Sequence, residues 1–205
     1  MKPMAGTLLR RWMPALACLA LAVGASSVLT RLMSLHMLVQ IPLLVLSGVF
    51  AEMAFARSCN KPATNAAAPA VGMRRGWSWN EYGLPGLIFA SLVGALWMVP
   101  KALDDALVDW RMAAFKYAGL PVCGWILSAS LRKAPLVIKI FFLGNFCWMS
   151  AIVGLLYMDQ PTRLCNAYLQ DDQLWAGRGL VALAVGLPLA WVFFKFDTVW
   201  KWLKR

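Results

Sequence analysis

The single histidine of this 205-residue chain, His36, stands among sulfur atoms: Met33 lies three residues before it, Met37 one after, and Gln40 four after. Separations of three and four residues bring side chains together on a helix, so Met33, His36, Met37 and Gln40 are expected to form one contiguous face. An imidazole with two thioethers is a donor set for a soft cation such as Cu(I), and Cys165 or an aspartate from a later loop can complete it. The same residues also read as a histidine hydrogen-bonded at a membrane boundary, with methionines as flexible apolar filler.

Little else in the chain offers chemistry. There is no phosphate-cradling glycine loop, zinc motif or serine–histidine–acid arrangement, and no ladder of acids or histidines such as a proton pump uses. The reading is therefore non-catalytic. Of the five cysteines, Cys18, Cys123 and Cys147 fall inside apolar runs, Cys59 on the expected inside and Cys165 on the expected outside. No two loop cysteines share a compartment, so no disulfide is expected.

The elements that must position His36 are long and apolar. Six stretches qualify, near 12–30, 36–55, 84–100, 116–131, 135–158 and 174–196; at about 1.5 Å per residue most reach the roughly 30 Å of a bilayer's hydrocarbon. Apolar residues make up 61% of the chain and charged ones 14%, outside the globular range of about half and a quarter. The expected fold is thus all-α, a single transmembrane bundle of about six spans over residues 1–205. A backbone in lipid must satisfy its own amides.

Charge orders the spans. With the amino terminus inside, fourteen of the 20 lysines and arginines fall on the cytoplasmic side, which predicts both termini in the cytoplasm and a bacterial-type inner (plasma) membrane. The net charge of +11 then reflects topology and lipid contact; nothing points to nucleic acid. Asp104, Asp105, Asp109, Asp159, Asp171 and Asp172 all fall outside. Glu52, Lys139 and Arg178, each about a turn from an interface, are read as snorkelling. The first span has the charged-then-apolar layout of a secretory signal, but its apolar run exceeds the usual length of about 7 to 15 residues, which predicts a retained helix.

Two connections stand out. Residues 57–80 lack any apolar period and read as an irregular cytoplasmic loop. After Pro100, Leu103, Leu107, Trp110 and Ala114 recur at helical spacing opposite Asp105 and Asp109, which predicts a short amphipathic helix on the outer surface. Most tryptophans, Trp12, Trp77, Trp79, Trp97, Trp110, Trp175, Trp200 and Trp202, fall near span ends and read as interfacial anchors.

The order of motifs resembles the CtaG-type cytochrome oxidase assembly membrane proteins and their short relatives. The likeness is carried by His36-Met37 with Gln40 and Pro42-Leu43-Leu44, then Leu96-Trp97 with Pro100 and Asp104-Asp105-Ala106-Leu107, then Tyr168 with Asp172-Gln173 and Ala176-Gly177. It covers about residues 30 to 185. The resemblance implies a bundle of about seven helices that helps assemble a haem–copper oxidase through copper handling at the outer face, with His36, Asp104 and Asp172 as the family-like polar positions. Two positions depart from the pattern: Gln40 stands where a second histidine is expected, and Lys116 near where another is. Loss of those imidazoles favours a scaffold role.

Three functions are thereby framed. One is copper handling or assembly for a respiratory or copper-dependent membrane oxidoreductase, with metal residues His36, Met33, Met37 and Cys165 and outer-face polar positions Gln40, Asp104, Asp105, Asp109 and Asp172 that meet a copper donor or oxidoreductase subunits. Another is a permanent accessory subunit whose glycines, including Gly83, Gly86, Gly94, Gly119, Gly124, Gly144, Gly154, Gly177, Gly179 and Gly186, permit close helix packing. A small transporter ranks third, since the chain lacks a clear internal repeat.

Overall fold

The computed structural model describes residues 4–59, 80 and 82–203. Among them there is no strand. The principal helices are α1 (Met4–Gly24), two short pieces α2 (Ser26–Leu29) and α3 (Met33–Leu35), and α4 (Ile41–Cys59), which a π-helical turn (His36–Gln40) joins to α3. Then follow α5 (Leu84–Trp97), α6 (Pro100–Val108), α7 (Trp110–Lys133), α8 (Leu136–Asp159) and α9 (Gln170–Leu203). Most of the irregular loop expected at 57–80 lies outside the described residues, as do Trp77 and Trp79.

Local sequence sets the breaks. Pro100 opens α6, and Val99 before it is extended at φ −79° and ψ 124°, as sterics before proline require; α5 and α6 meet at 76°. Asp109 is extended at φ −98° and ψ 120° and accepts the backbone N–H of Arg111 at 2.9 Å, the geometry of a helix N-cap. The amphipathic period expected to run from Leu103 through Ala114 is therefore cut at Asp109. Only α6 has one buried face, Ala102, Leu103 and Ala106; Trp110 and Ala114 belong to α7.

Three helical stretches are long and apolar enough to cross a membrane, Met33–Ser58, Leu136–Asp159 and Gln170–Phe194, or four if the bent α5–α6 pair forms one span. Six are not reached. Among the described residues α1 and α7 are not in that set; α1 carries Arg10 and Arg11 near its start, and α7 carries Lys116 within its apolar run. Outward-facing apolar side chains on α8 and α9, such as Phe141, Trp148, Phe193 and Phe194, are between 66% and 80% exposed, far beyond what a water-soluble surface tolerates as a continuous band. The protein is a helical bundle compatible with a membrane.

Two glycine crossings hold the bundle. A Cβ on Gly48 would collide with the Pro121 carbonyl, and one on Gly124 with the Val45 carbonyl, so α4 and α7 touch backbone to backbone. On the other side a Cβ on either Gly154 or Gly177 would lie 2.7 Å from the other's carbonyl oxygen, which seats α8 against α9 in the small-residue manner of membrane helices. Gly144 and Gly186 face open space, so not every glycine read as a packing site is one. Trp97, read as an anchor, is 2% exposed and stacks on Phe115 with ring centroids 6.3 Å apart. It belongs to the core.

Candidate functional site: a buried polar chain beneath a tethered loop

The π-helical turn sits immediately before Pro42. In a regular α-helix that proline would strike the carbonyl of Leu38 and leave it without a donor; here the N–H of Ile41 reaches the carbonyl of His36, five residues back. The widened turn buries His36, Met37 and Gln40 together. Such turns recur at functional sites.

His36 is fully buried, and both ring nitrogens are engaged. Nδ1 lies 2.7 Å from the Tyr168 hydroxyl, and Nε2 lies 3.1 Å from Lys116 Nζ. Lys116, 1% exposed, also donates to Gln40 Oε1 at 3.3 Å and stands 4.7 Å from the centre of the Tyr117 ring. Gln40 Nε2 donates to the Ala22 carbonyl at 2.9 Å and to the Tyr117 hydroxyl at 3.2 Å. The chain Tyr168–His36–Lys116–Gln40 thus ties the π turn, α7 and the α8–α9 loop through side chains, and reaches α1 at the Ala22 carbonyl.

Hydrogen-bond logic links the proton pattern to the charge on Lys116. An ammonium has protons to give and no lone pair, so a charged Lys116 makes Nε2 the acceptor and places the ring hydrogen on Nδ1, donating to Tyr168 oxygen. A neutral amine permits the reverse pattern, with Tyr168 donating to Nδ1. No carboxylate pairs with Lys116 among the described residues.

The loop at 160–169 is held at both ends and in its middle. Asp104 accepts the backbone N–H groups of Asn166 and Ala167 at 2.7 and 3.3 Å. Gln173 accepts from the N–H of Leu164 at 2.9 Å and donates to the Tyr157 carbonyl at 3.0 Å, while Gln170 donates to the Gln160 carbonyl. Cys165 points inward, its thiol toward the Pro100 carbonyl at 3.5 Å. Burial first, and then the charge of nearby Asp104, push this thiol up to about 12; burial likewise raises the Tyr168 hydroxyl.

Three of the residues read as metal ligands lie in one apolar cluster, with His36 bonded to a member of it. Met33, Met37 and Cys165 are buried in one cluster that also holds Tyr168, the partner of His36. Met98, which spacing around His36 gave no reason to include, is in that cluster too. The polar positions distribute differently. Gln40 is fully buried within the chain just described, not displayed on the outer face. Asp104 secures the loop, Asp105 pairs with Lys101 at 3.3 Å, Asp109 caps α7, and Asp172 lies in the first turn of α9, where a helix dipole favours negative charge. Among the described residues no three His, Cys, Asp or Glu side chains group as a metal site.

At the opposite end Glu52, read as snorkelling, is 3% exposed. It forms an ion pair with Arg132 and accepts from Ser128 at 2.9 Å. Its burial on α4 is matched by partners on α7. Arg11 donates to the Arg57 carbonyl at this end, so basic residues of α1, α4 and α7 lie near one another here.

Comparison with known protein families, curated proteins and solved structures finds no match.

Proposed function

We propose that this chain is a non-catalytic integral membrane protein that handles Cu(I) at the outer face of its membrane on behalf of a membrane oxidoreductase. One observation carries the reading: the thioethers of Met33, Met37 and Met98 and the thiol of Cys165 share a buried cluster beside the only imidazole. Soft sulfur donors select a soft ion. The imidazole fits less well, because both its ring nitrogens are engaged and Lys116 stands against it. The sulfur atoms are therefore the ligands in this reading, and His36 positions the loop over them through Tyr168. Loss of the Cys165 proton on binding gives a neutral thiolate–Cu(I) pair, which is tolerated near a buried ammonium far better than an added cation.

The test is competition for Cu(I) between the detergent-purified chain and a chromophoric chelator. Stoichiometric uptake that Cys165→Ser and Met33→Leu each weaken by tenfold or more supports the reading, with His36→Gln retaining stoichiometry. Absence of uptake, or uptake indifferent to both sulfur variants, removes it. The engagement of both ring nitrogens favours a second reading, a permanent accessory subunit whose polar chain is structural; co-purification at fixed ratio with a mature membrane oxidoreductase would support that one.

A further inference from the structure

The α3–α9 face carries a groove of about 430 Å³ lined by Ser34, Leu38, Trp175, Arg178, Gly179 and Ala182. It exists because α9 presents small residues there. Gly179 has no room for a Cβ against Leu38, and Ala182, one turn further along, adds only a methyl group. Arg178 lies about 12 Å along the axis from the start of α9, within the stretch long and apolar enough to cross a membrane. Its guanidinium carbon stands 5.0 Å from the centre of the exposed Trp175 ring, and it has no carboxylate partner among the described residues.

An arginine in such a stretch with no carboxylate beside it is met by water or an anion, and its planar fork matches a phosphate in bidentate fashion. This open groove is apolar apart from Ser34 and Arg178, the polarity that an acyl chain below a phosphodiester requires. We propose that this groove is a specific phospholipid site, with the phosphodiester on Arg178 and an acyl chain along Leu38, Gly179 and Ala182. Asp171, seven residues before Arg178 and so on the same helical face nearer the helix start, suits an amine-bearing headgroup, which makes phosphatidylethanolamine the probe. The inference is independent of copper.

Native mass spectrometry of the full chain in detergent, with phosphatidylethanolamine or a diacylglycerol of identical acyl chains added, tests it. The wild type should retain the phospholipid at least tenfold over the diacylglycerol. Arg178→Gln should bring the two lipids level, while Arg163→Gln, an exposed loop arginine, should change nothing. Ala182→Phe, which fills the groove and leaves the charge in place, should also lose the lipid, and it decides the matter if Arg178→Gln melts early. Equal retention of both lipids by the wild type, or wild-type retention in Arg178→Gln and Ala182→Phe, would overturn the site.

Discussion

His36 Nδ1 and the Tyr168 hydroxyl lie 2.7 Å apart although 132 residues separate them in the chain. That bond joins the π turn before α4 to the loop between α8 and α9. Tyr168→Phe leaves a buried ring nitrogen without its partner, at about 1–3 kcal/mol. The expected outcome is faster amide exchange in residues 164–168, with α8 unchanged; equal loosening of both would show that the bond does not govern the loop.

Lys116 and Gln40 are energetically tied. Gln40→Leu removes an acceptor from a buried ammonium and a donor from the Ala22 carbonyl, an expected loss of about 2–4 kcal/mol. Lys116→Met in the same chain should recover part of that loss, because removing the charge removes its need for acceptors. Thermal unfolding in detergent of the two single variants and the double variant reads the coupling directly, and simple additivity would refute it.

The Glu52–Arg132 pair is asymmetric, since Glu52 is buried and the Arg132 side chain is 49% exposed. Arg132→Met strands a carboxylate with only Ser128 to bond it and should cost about 3 kcal/mol or more. Glu52→Gln leaves an arginine free to reach water and should cost less. A reversed order in their melting temperatures would mean that Arg132, not Glu52, is the group that burial penalises.

Cys165 holds its proton to about 12 rather than 9.0. A pKa raised on folding contributes stability that is complete below about 9 and is lost as pH climbs from there toward 12. Wild type should therefore lose melting temperature between pH 8.5 and 11 more steeply than Cys165→Ser. At neutral pH the thiol should resist a charged maleimide, and Asp104→Asn should speed its labelling.

Glycine positions separate by what they face. Gly48→Ala forces a methyl group into the Pro121 carbonyl and should cost several kcal/mol by prising α4 from α7. Gly144→Ala, which meets nothing within 4 Å, should be neutral or slightly stabilising through helix propensity. Comparable melting of the two variants would deny the crossing its importance.

Local spacing made part of this legible. The face formed by Met33, His36, Met37 and Gln40 follows from helical periodicity, and the gathering of Arg11, Arg57 and Arg132 at one end follows from charge placement. What periodicity cannot show is which distant side chain meets a given face. Only the family resemblance put Lys116 near His36, and its bond to Gln40 depends on the π turn, whose only sequence sign is Pro42. Glu52 near an interface reads as reaching outward until the position of Arg132 on α7 is known. Of the six apolar runs legible as spans, three form helices long and apolar enough to cross a membrane, or four with the bent α5–α6 pair.

That mutual dependence bears on how the chain is made. Gln40 and Glu52 emerge from the ribosome long before Lys116, Ser128 and Arg132, so a nascent chain ending at α6 holds an amide and a carboxylate with their later partners still unsynthesised. Both groups therefore wait on α7, and any state of the chain with α4 in place and α7 absent leaves them without Lys116, Ser128 and Arg132.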